Sequence, residues 1–166
     1  MKLTIIGGGP GGYTAAFAAA KAGVEVTLVE RAHLGGTCLH TGCIPTKTLL
    51  HAANLLRAVQ QAGAFGLTAD HVGLDMARLQ AYKDEVVTKL QGGIAQRLRQ
   101  QKVTVLKGTA RIEAADRIAV QGEEPAELLA KHILIATGSK PAVPPIPGHE
   151  LAGVVTSDEL LSLAAV

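Results

Sequence analysis

Tryptophan is missing from this 166-residue chain, and aromatic residues of all kinds make up only 2% of it. So few rings argue against recognition by base stacking. A strong excess of one charge sign is also missing. Sixteen lysines and arginines face fourteen aspartates and glutamates, for a net charge of +2. No basic stripe appears, so neither a nucleic-acid face nor an anionic membrane partner is implied. No apolar run approaches the length needed to span a bilayer, and Met1–Ile6 leads straight into glycines rather than into a secretion signal. No internal repeat or low-complexity tract is evident. Cysteine is nearly absent too, with two residues in all. These features predict a cytoplasmic protein, where a cysteine pair serves redox or metal chemistry more often than it staples a fold. The length suits one domain, or part of a larger one, and is enough to bury a sizeable core.

Glycine is plentiful at nineteen residues, and 48% of the chain is hydrophobic. Together with many alanines, this predicts closely packed helices and tight turns between strand and helix. Lys2-Leu3-Thr4-Ile5-Ile6 reads as a short buried strand. Gly7-Gly8-Gly9-Pro10-Gly11-Gly12 follows, with G-x-G-x-x-G at Gly7, Gly9 and Gly12. Tyr13–Ala22 reads as a helix closed by Gly23, and Val24–Val29 as a second strand that ends on Glu30. Gly7 permits the tight turn, Gly9 lets a pyrophosphate approach the backbone, and Gly12 lets the helix pack on the strand. Glu30, eighteen residues after Gly12, can accept hydrogen bonds from ribose hydroxyls, which favours a cofactor with a free 2′-hydroxyl. Arg31 beside it reads as a solvated charge, although an arginine there could also meet a phosphate. The strand, turn, helix, second strand and acid together predict a dinucleotide site.

Both cysteines lie in Gly35-Gly36-Thr37-Cys38-Leu39-His40-Thr41-Gly42-Cys43-Ile44-Pro45-Thr46-Lys47. Pro45 is expected to open a helix, which places Cys43 at or just before a helix N-terminus, where a thiolate is favoured. Lys47 follows one turn later on the same face. Gly42, free to take a positive φ, lets the backbone fold so that the two sulfurs can meet. Three readings of the pair stay open on spacing alone. One is a dithiol that cycles with a disulfide. The second is a pair of inert thiols or a structural bridge. The third is a metal site with His33, His40 or His51. His33 and His40 are most simply loop or surface residues.

The remainder predicts a helix from Pro45 to Leu56, a break at Gly63–Leu67, and a longer helix capped by Asp75. Leu79, Tyr82, Val86, Leu90, Ile94 and Leu98 form its expected apolar face. Lys83, Asp84, Lys89, Gln96, Arg97 and Arg99 are expected to face solvent. Gly92-Gly93 marks a kink or a close crossing. Val103–Leu106, Thr109–Ile112 and Arg117–Val120 alternate as strands, and Gly122–Pro125 is a loop. His132–Ala136 reads as a strand covered on both faces, with His132 a hydrogen-bonded edge residue. The proline-rich run from Lys140 to Gly148 reads as a stiff linker.

A nucleotide turn followed at once by this cysteine stretch resembles the class I flavin-dependent pyridine nucleotide–disulfide oxidoreductases. Within them the stretch is most similar to the dihydrolipoamide dehydrogenases, although His40 and Thr41 stand where asparagine and valine are usual. The resemblance implies an α/β fold: a Rossmann-like, three-layer FAD-binding domain with a small antiparallel β-meander, incomplete here. It implies that 1–166 is the N-terminal segment of a discontinuous FAD-binding domain, with the NAD-binding and dimer-interface domains absent. Cys38 would be the interchange thiol, Cys43 the thiol against the flavin, and Lys47 a neighbour of the flavin N5. Gly7, Gly9, Pro10, Gly11, Gly12, Glu30, Arg31, Gly36 and Thr37 would hold the cofactor, with Cys38 and Lys47 beside it. Ala110 would lie by the adenine, and Ala136-Thr137-Gly138 would close over the flavin nucleotide. Electrons would pass from a dihydrolipoamide-like dithiol to a Cys38–Cys43 disulfide, then to FAD, then to NAD. The partner would be a small-molecule or lipoyl-domain disulfide, and the full-length family is homodimeric. The alternative is a non-catalytic dinucleotide-binding module with inert or metal-binding cysteines.

Overall fold

The computed structural model describes residues 1–122 and 125–164; Glu123 and Glu124 of the expected loop lie outside the described residues. In order, the elements are β1 (Lys2–Ile6), α1 (Pro10–Lys21), β2 (Glu25–Glu30), α2 (Gly36–His40), α3 (Cys43–Gln61) and α4 (Met76–Gln100). Then come β3 (Thr104–Lys107), β4 (Thr109–Ala114), β5 (Arg117–Gln121), β6 (Ala126–Leu129), β7 (His132–Ile135) and α5 (Ser157–Leu160). The chain divides into two compact units, Met1–Cys38 with Lys89–Ser139, and Leu39–Thr88 with Lys140–Val166. One boundary falls where the proline-rich run begins.

The first unit is built on a four-stranded sheet in the order β3-β2-β1-β7, with all three pairings parallel. Successive side chains of a strand point to opposite faces, and β1 and β2 use both. Ile5, Val26 and Leu28 pack with Ala16 and Phe17 of α1, Leu98 of α4 and Val103. Ile6 and Val29 pack with Ile118 and Val120 of the β4-β5-β6 meander and with Ala130 just after it. Helices, sheet and meander thus form three layers, as expected. Each side chain fully buried this way contributes ~1.5–3 kcal/mol. The Arg97 guanidinium lies 4.4 Å from the centroid of the Phe17 ring, which also meets Tyr13 at 5.6 Å between centroids. The aliphatic stem of Arg97 can cover apolar surface while its charge stays wet.

The segment at Val103–Leu106 joins the parallel sheet beside β2, and the third strand of the meander is β6. Two expectations are corrected. β7 is not covered on both faces: it pairs with β1 alone, and Ile135 is 63% exposed. Its apolar run reflects a central-strand composition at what is, in the described sheet, an edge. Gly92 and Gly93 have open space where a Cβ would stand, so they mark no close crossing.

In the second unit α3 runs to Gln61, tightens into a 3₁₀ turn at Ala62–Phe65, and stops at Gly66 with φ +77°. Asp75 caps α4 as expected, since its Oδ1 accepts the Arg78 amide at 3.0 Å. Replacing Asp75 by alanine is expected to cost ~1 kcal/mol, read as a lower urea midpoint at unchanged slope. The predicted apolar face of α4 holds at Ile94 and Leu98, which pack in the first core cluster, and is corrected at two other positions. Tyr82 and Leu90 are exposed, whereas Lys83 is only 7% exposed and Val87 is buried. The Lys83 ammonium donates to the Leu161 carbonyl at 3.2 Å and pairs with Asp84 at 3.1 Å. Gln80 Nε2 donates to the Leu163 carbonyl at 2.9 Å. These partners follow α5, which opens on a capping box at Thr156 and Glu159.

Candidate functional site

The glycine turn sits between β1 and α1, at the carboxyl end of the parallel strands, where open α/β sheets bind their ligands. α1 starts at Pro10, three residues before the expected Tyr13, because proline is pre-set for the first helical position and Gly9 serves as N-cap. No side chain caps this end, so its first amides are left for a ligand.

Packing shows why particular glycines stand here. Gly7 has φ +107°, and a Cβ on it would come within 2.2 Å of the Ala136 carbonyl oxygen. A Cβ on Gly12 would lie 1.8 Å from the Gly7 oxygen and 3.4 Å from Ile5, so α1 lies against β1 only because Gly12 has no side chain. Gly36, with φ +56°, would clash with the Gly9 Cα at 2.7 Å. At Gly9 itself a Cβ would meet only the Gly36 Cα at 3.7 Å, and at Gly11 only the Ala136 Cβ at 3.8 Å. The fold therefore demands Gly7, Gly12 and Gly36, while the bareness of Gly9 and Gly11 is left available to a bound group. That combination fits a pyrophosphate held by backbone amides, and with it a dinucleotide such as FAD.

Sequence reasoning missed Gly8, which is buried. A Cβ there would press on Leu34 at 2.9 Å and on the Glu30 carboxylate at 3.1 Å. Its amide donates to Glu30 Oε2 at 2.6 Å, while Glu30 Oε1 accepts the Ala32 amide at 2.8 Å. The triple glycine was the available signal, since G-x-G-x-x-G leaves position two open. Arg31 is exposed. Ala136 donates its amide to Ile6 O at 2.8 Å, and Gly138 turns at φ +73°. Ala110 pairs with Val120 in the meander and packs on the second core cluster. Gly7, Gly9, Pro10, Gly11, Gly12, Glu30, Gly36, Thr37, Ala136 and Thr137 all belong to the first unit.

The cysteine stretch is more helical than expected. Cys38 lies in the short α2, half-buried, and Cys43 is the first residue of α3 and exposed. Both are thiols in this structure rather than a disulfide. Pro45 is the third residue of α3, not its opening one, and is buried. Gly42 takes φ −145° rather than a positive value; the positive-φ turns of this stretch are Gly35 and Gly36. Lys47 is exposed one turn after Cys43 in the same helix. The Thr46 hydroxyl donates to the Gly42 carbonyl at 2.7 Å, tying down the first turn. Among the described residues no group of three or more His, Cys, Asp and Glu is placed to hold a metal ion. No described helix is long and apolar enough to cross a membrane.

Comparison with known proteins follows the same lines. The family model for the pyridine nucleotide-disulphide oxidoreductases matches residues 1–166. A dihydrolipoyl dehydrogenase of Acholeplasma laidlawii is 44% identical over 167 residues, covering 98% of this chain and 49% of the relative. One from Bacillus subtilis is 39% identical, covering 100% of this chain and 37% of the relative. Among solved structures, the HOCl-induced flavoprotein disulfide reductase RclA from Escherichia coli superposes with a TM-score of 0.79 at 34% identity, over 99% of this chain and 34% of that one. The chain thus spans half or less of the length of these relatives.

Proposed function

Because the chain belongs to the pyridine nucleotide-disulphide oxidoreductase family, whose members depend on FAD, we propose that it is the FAD-binding part of an enzyme of the dihydrolipoyl dehydrogenase type. FAD, when bound, supplies a two-electron acceptor between the cysteines and NAD. Gly7, Gly9, Pro10, Gly11, Gly12, Gly36 and Thr37 would hold its pyrophosphate, and Glu30 its ribose with Arg31 alongside. Ala110 would adjoin the adenine, Ala136-Thr137-Gly138 would cover the cofactor, and Lys47 would serve the flavin. The NAD site and dimer contacts would fall outside the matched stretch.

The cysteines would work by thiol–disulfide exchange. A thiolate of the dithiol substrate attacks Cys38 of a Cys38–Cys43 disulfide. The bond between the two cysteines breaks, a mixed disulfide with Cys38 forms, and Cys43 leaves as a thiolate. The second substrate thiol loses its proton and attacks its own sulfur partner in the mixed disulfide, which releases Cys38. The substrate is now a disulfide, and two electrons reside on the chain's two reduced cysteines. A helix N-terminus and a lysine one turn on suit Cys43 to the leaving role. A lipoyl group, free or on a lipoyl domain, is the substrate proposed, and a homodimer the assembly.

The observation that carries the reading is the fit of backbone to backbone at Gly7, Gly12 and Gly36, with Cys38 two residues beyond the last of them. Titration of the purified chain with FAD, followed by flavin fluorescence, is expected to show saturable binding that ADP displaces. Binding of neither FAD nor ADP would end this reading.

A further inference from the structure

Glu30 closes β2, and both oxygens of its carboxylate accept hydrogen bonds from the chain's own backbone. Oε2 takes the Gly8 amide at 2.6 Å, across 22 residues of sequence, and Oε1 takes the Ala32 amide at 2.8 Å. Gly8 is the centre of the phosphate turn, and Ala32 begins the loop that returns to it. That return is tied twice more: Gly35 donates its amide to the Gly8 carbonyl at 2.8 Å, and Gly36 abuts the Gly9 Cα. One carboxylate therefore staples the two loops that together form the cradle, through backbone amides alone.

From this geometry we propose that Glu30 is a positioning residue that sets the shape of the phosphate turn before any nucleotide arrives, in addition to whatever contact it makes with ribose. The proposal rests on the reading of the turn as a dinucleotide site. An ionised carboxylate accepts several hydrogen bonds and makes them stronger than a neutral acceptor does. Glutamine is close in shape but has one acceptor oxygen, and its other arm is a donor. One of the two backbone amides would then face an N–H group instead of an oxygen. The Ala32 amide is exposed and can turn to water, whereas Gly8 is buried, and a buried amide left without its acceptor costs more than the bond itself was worth. Ordering the turn would then fall to the ligand, and affinity would drop for anything bound there.

The consequence separates a staple from a ribose contact. Inorganic pyrophosphate has no ribose, so a residue that acts only on ribose leaves its binding unchanged. The whole chain, wild type and Glu30→Gln, is compared by amide-resolved hydrogen exchange and by NMR titration with pyrophosphate and, separately, with FAD. In the nucleotide-free protein the Gly8 amide is expected to exchange about tenfold faster in the variant. Pyrophosphate is expected to bind about tenfold more weakly, in step with FAD. Equal Gly8 exchange in the two proteins, or weakened FAD binding beside unchanged pyrophosphate binding, overturns the proposal. Should the variant not fold, the wild type alone decides: Gly8 in the nucleotide-free chain is then expected among the slowly exchanging amides despite lying in a turn. Fast exchange there overturns it. A wild type that binds neither ligand refutes the dinucleotide reading instead, and Gly8 exchange still reads the staple separately.

Discussion

Replacing Gly12 by alanine is expected to destabilise the chain by ~3 kcal/mol or more and to abolish nucleotide binding. The added Cβ would sit 1.8 Å from the Gly7 carbonyl oxygen, far inside contact distance and against backbone that cannot swing away. Either α1 lifts off β1, opening the core around Ile5, Ala16 and Phe17, or Gly7 leaves its φ of +107°. Both routes dismantle the turn. Gly9→Ala is the matched control. Its Cβ would find nothing closer than 3.7 Å, so the fold should hold within ~1 kcal/mol, while the methyl group would occupy the place proposed for a phosphate. Urea unfolding and FAD titration on the two variants check the pair together. The account of the cradle fails if Gly12→Ala unfolds at the wild-type midpoint, or if Gly9→Ala binds FAD as the wild type does.

The second large effect concerns the cysteines. Oxidation of the wild type with a mild disulfide reagent is expected to remove two hydrogens from the intact mass and to abolish alkylation at both sites. Reduction should restore two alkylatable thiols. Cys38→Ser and Cys43→Ser are each expected to lose this reversible two-electron change completely, because the sequence then holds one cysteine and a disulfide needs two. The separation is sharp: a lone thiol can form only an intermolecular bond or an adduct, both of which add mass. Intact-mass measurement with and without alkylation reads all three proteins. A wild type that keeps two alkylatable thiols after oxidation, or that bridges only between chains, would contradict the assignment of Cys38 and Cys43 as an exchanging pair.

Much of the fold was legible because its signals are local. β1, the glycine turn, α1 and β2 appear in the order and nearly at the boundaries that apolar runs and glycines mark. The early start of α1 at Pro10 was obscured because Gly11 and Gly12 lower helix propensity, whereas the demand for bare backbone at Gly12 overrides it. Elsewhere the pattern named an element without naming its neighbours. Alternation identified β3 as a strand, but pairing with β2 depends on where α4 delivers the chain. The stripe Leu79, Tyr82, Val86, Leu90 has good helical spacing, yet Tyr82 and Leu90 remain exposed. Lys83 is covered instead, because carbonyls near residue 161 arrive beside it. His132 opens β7 as an exposed residue, since its strand lies at a described edge.

The sequence by itself determined where the glycine turn stands, which acid closes the next strand, and which two thiols follow within a few residues. Those features are set by spacing along the covalent chain, which survives in any conformation. Only the tertiary structure decided that Gly8 and Ala32 share the Glu30 carboxylate, that Lys83 is buried, and that β3 lies in the sheet rather than the meander. Hydrogen-bond partners and burial depend on which distant backbone comes alongside, and no short-range pattern carries that information.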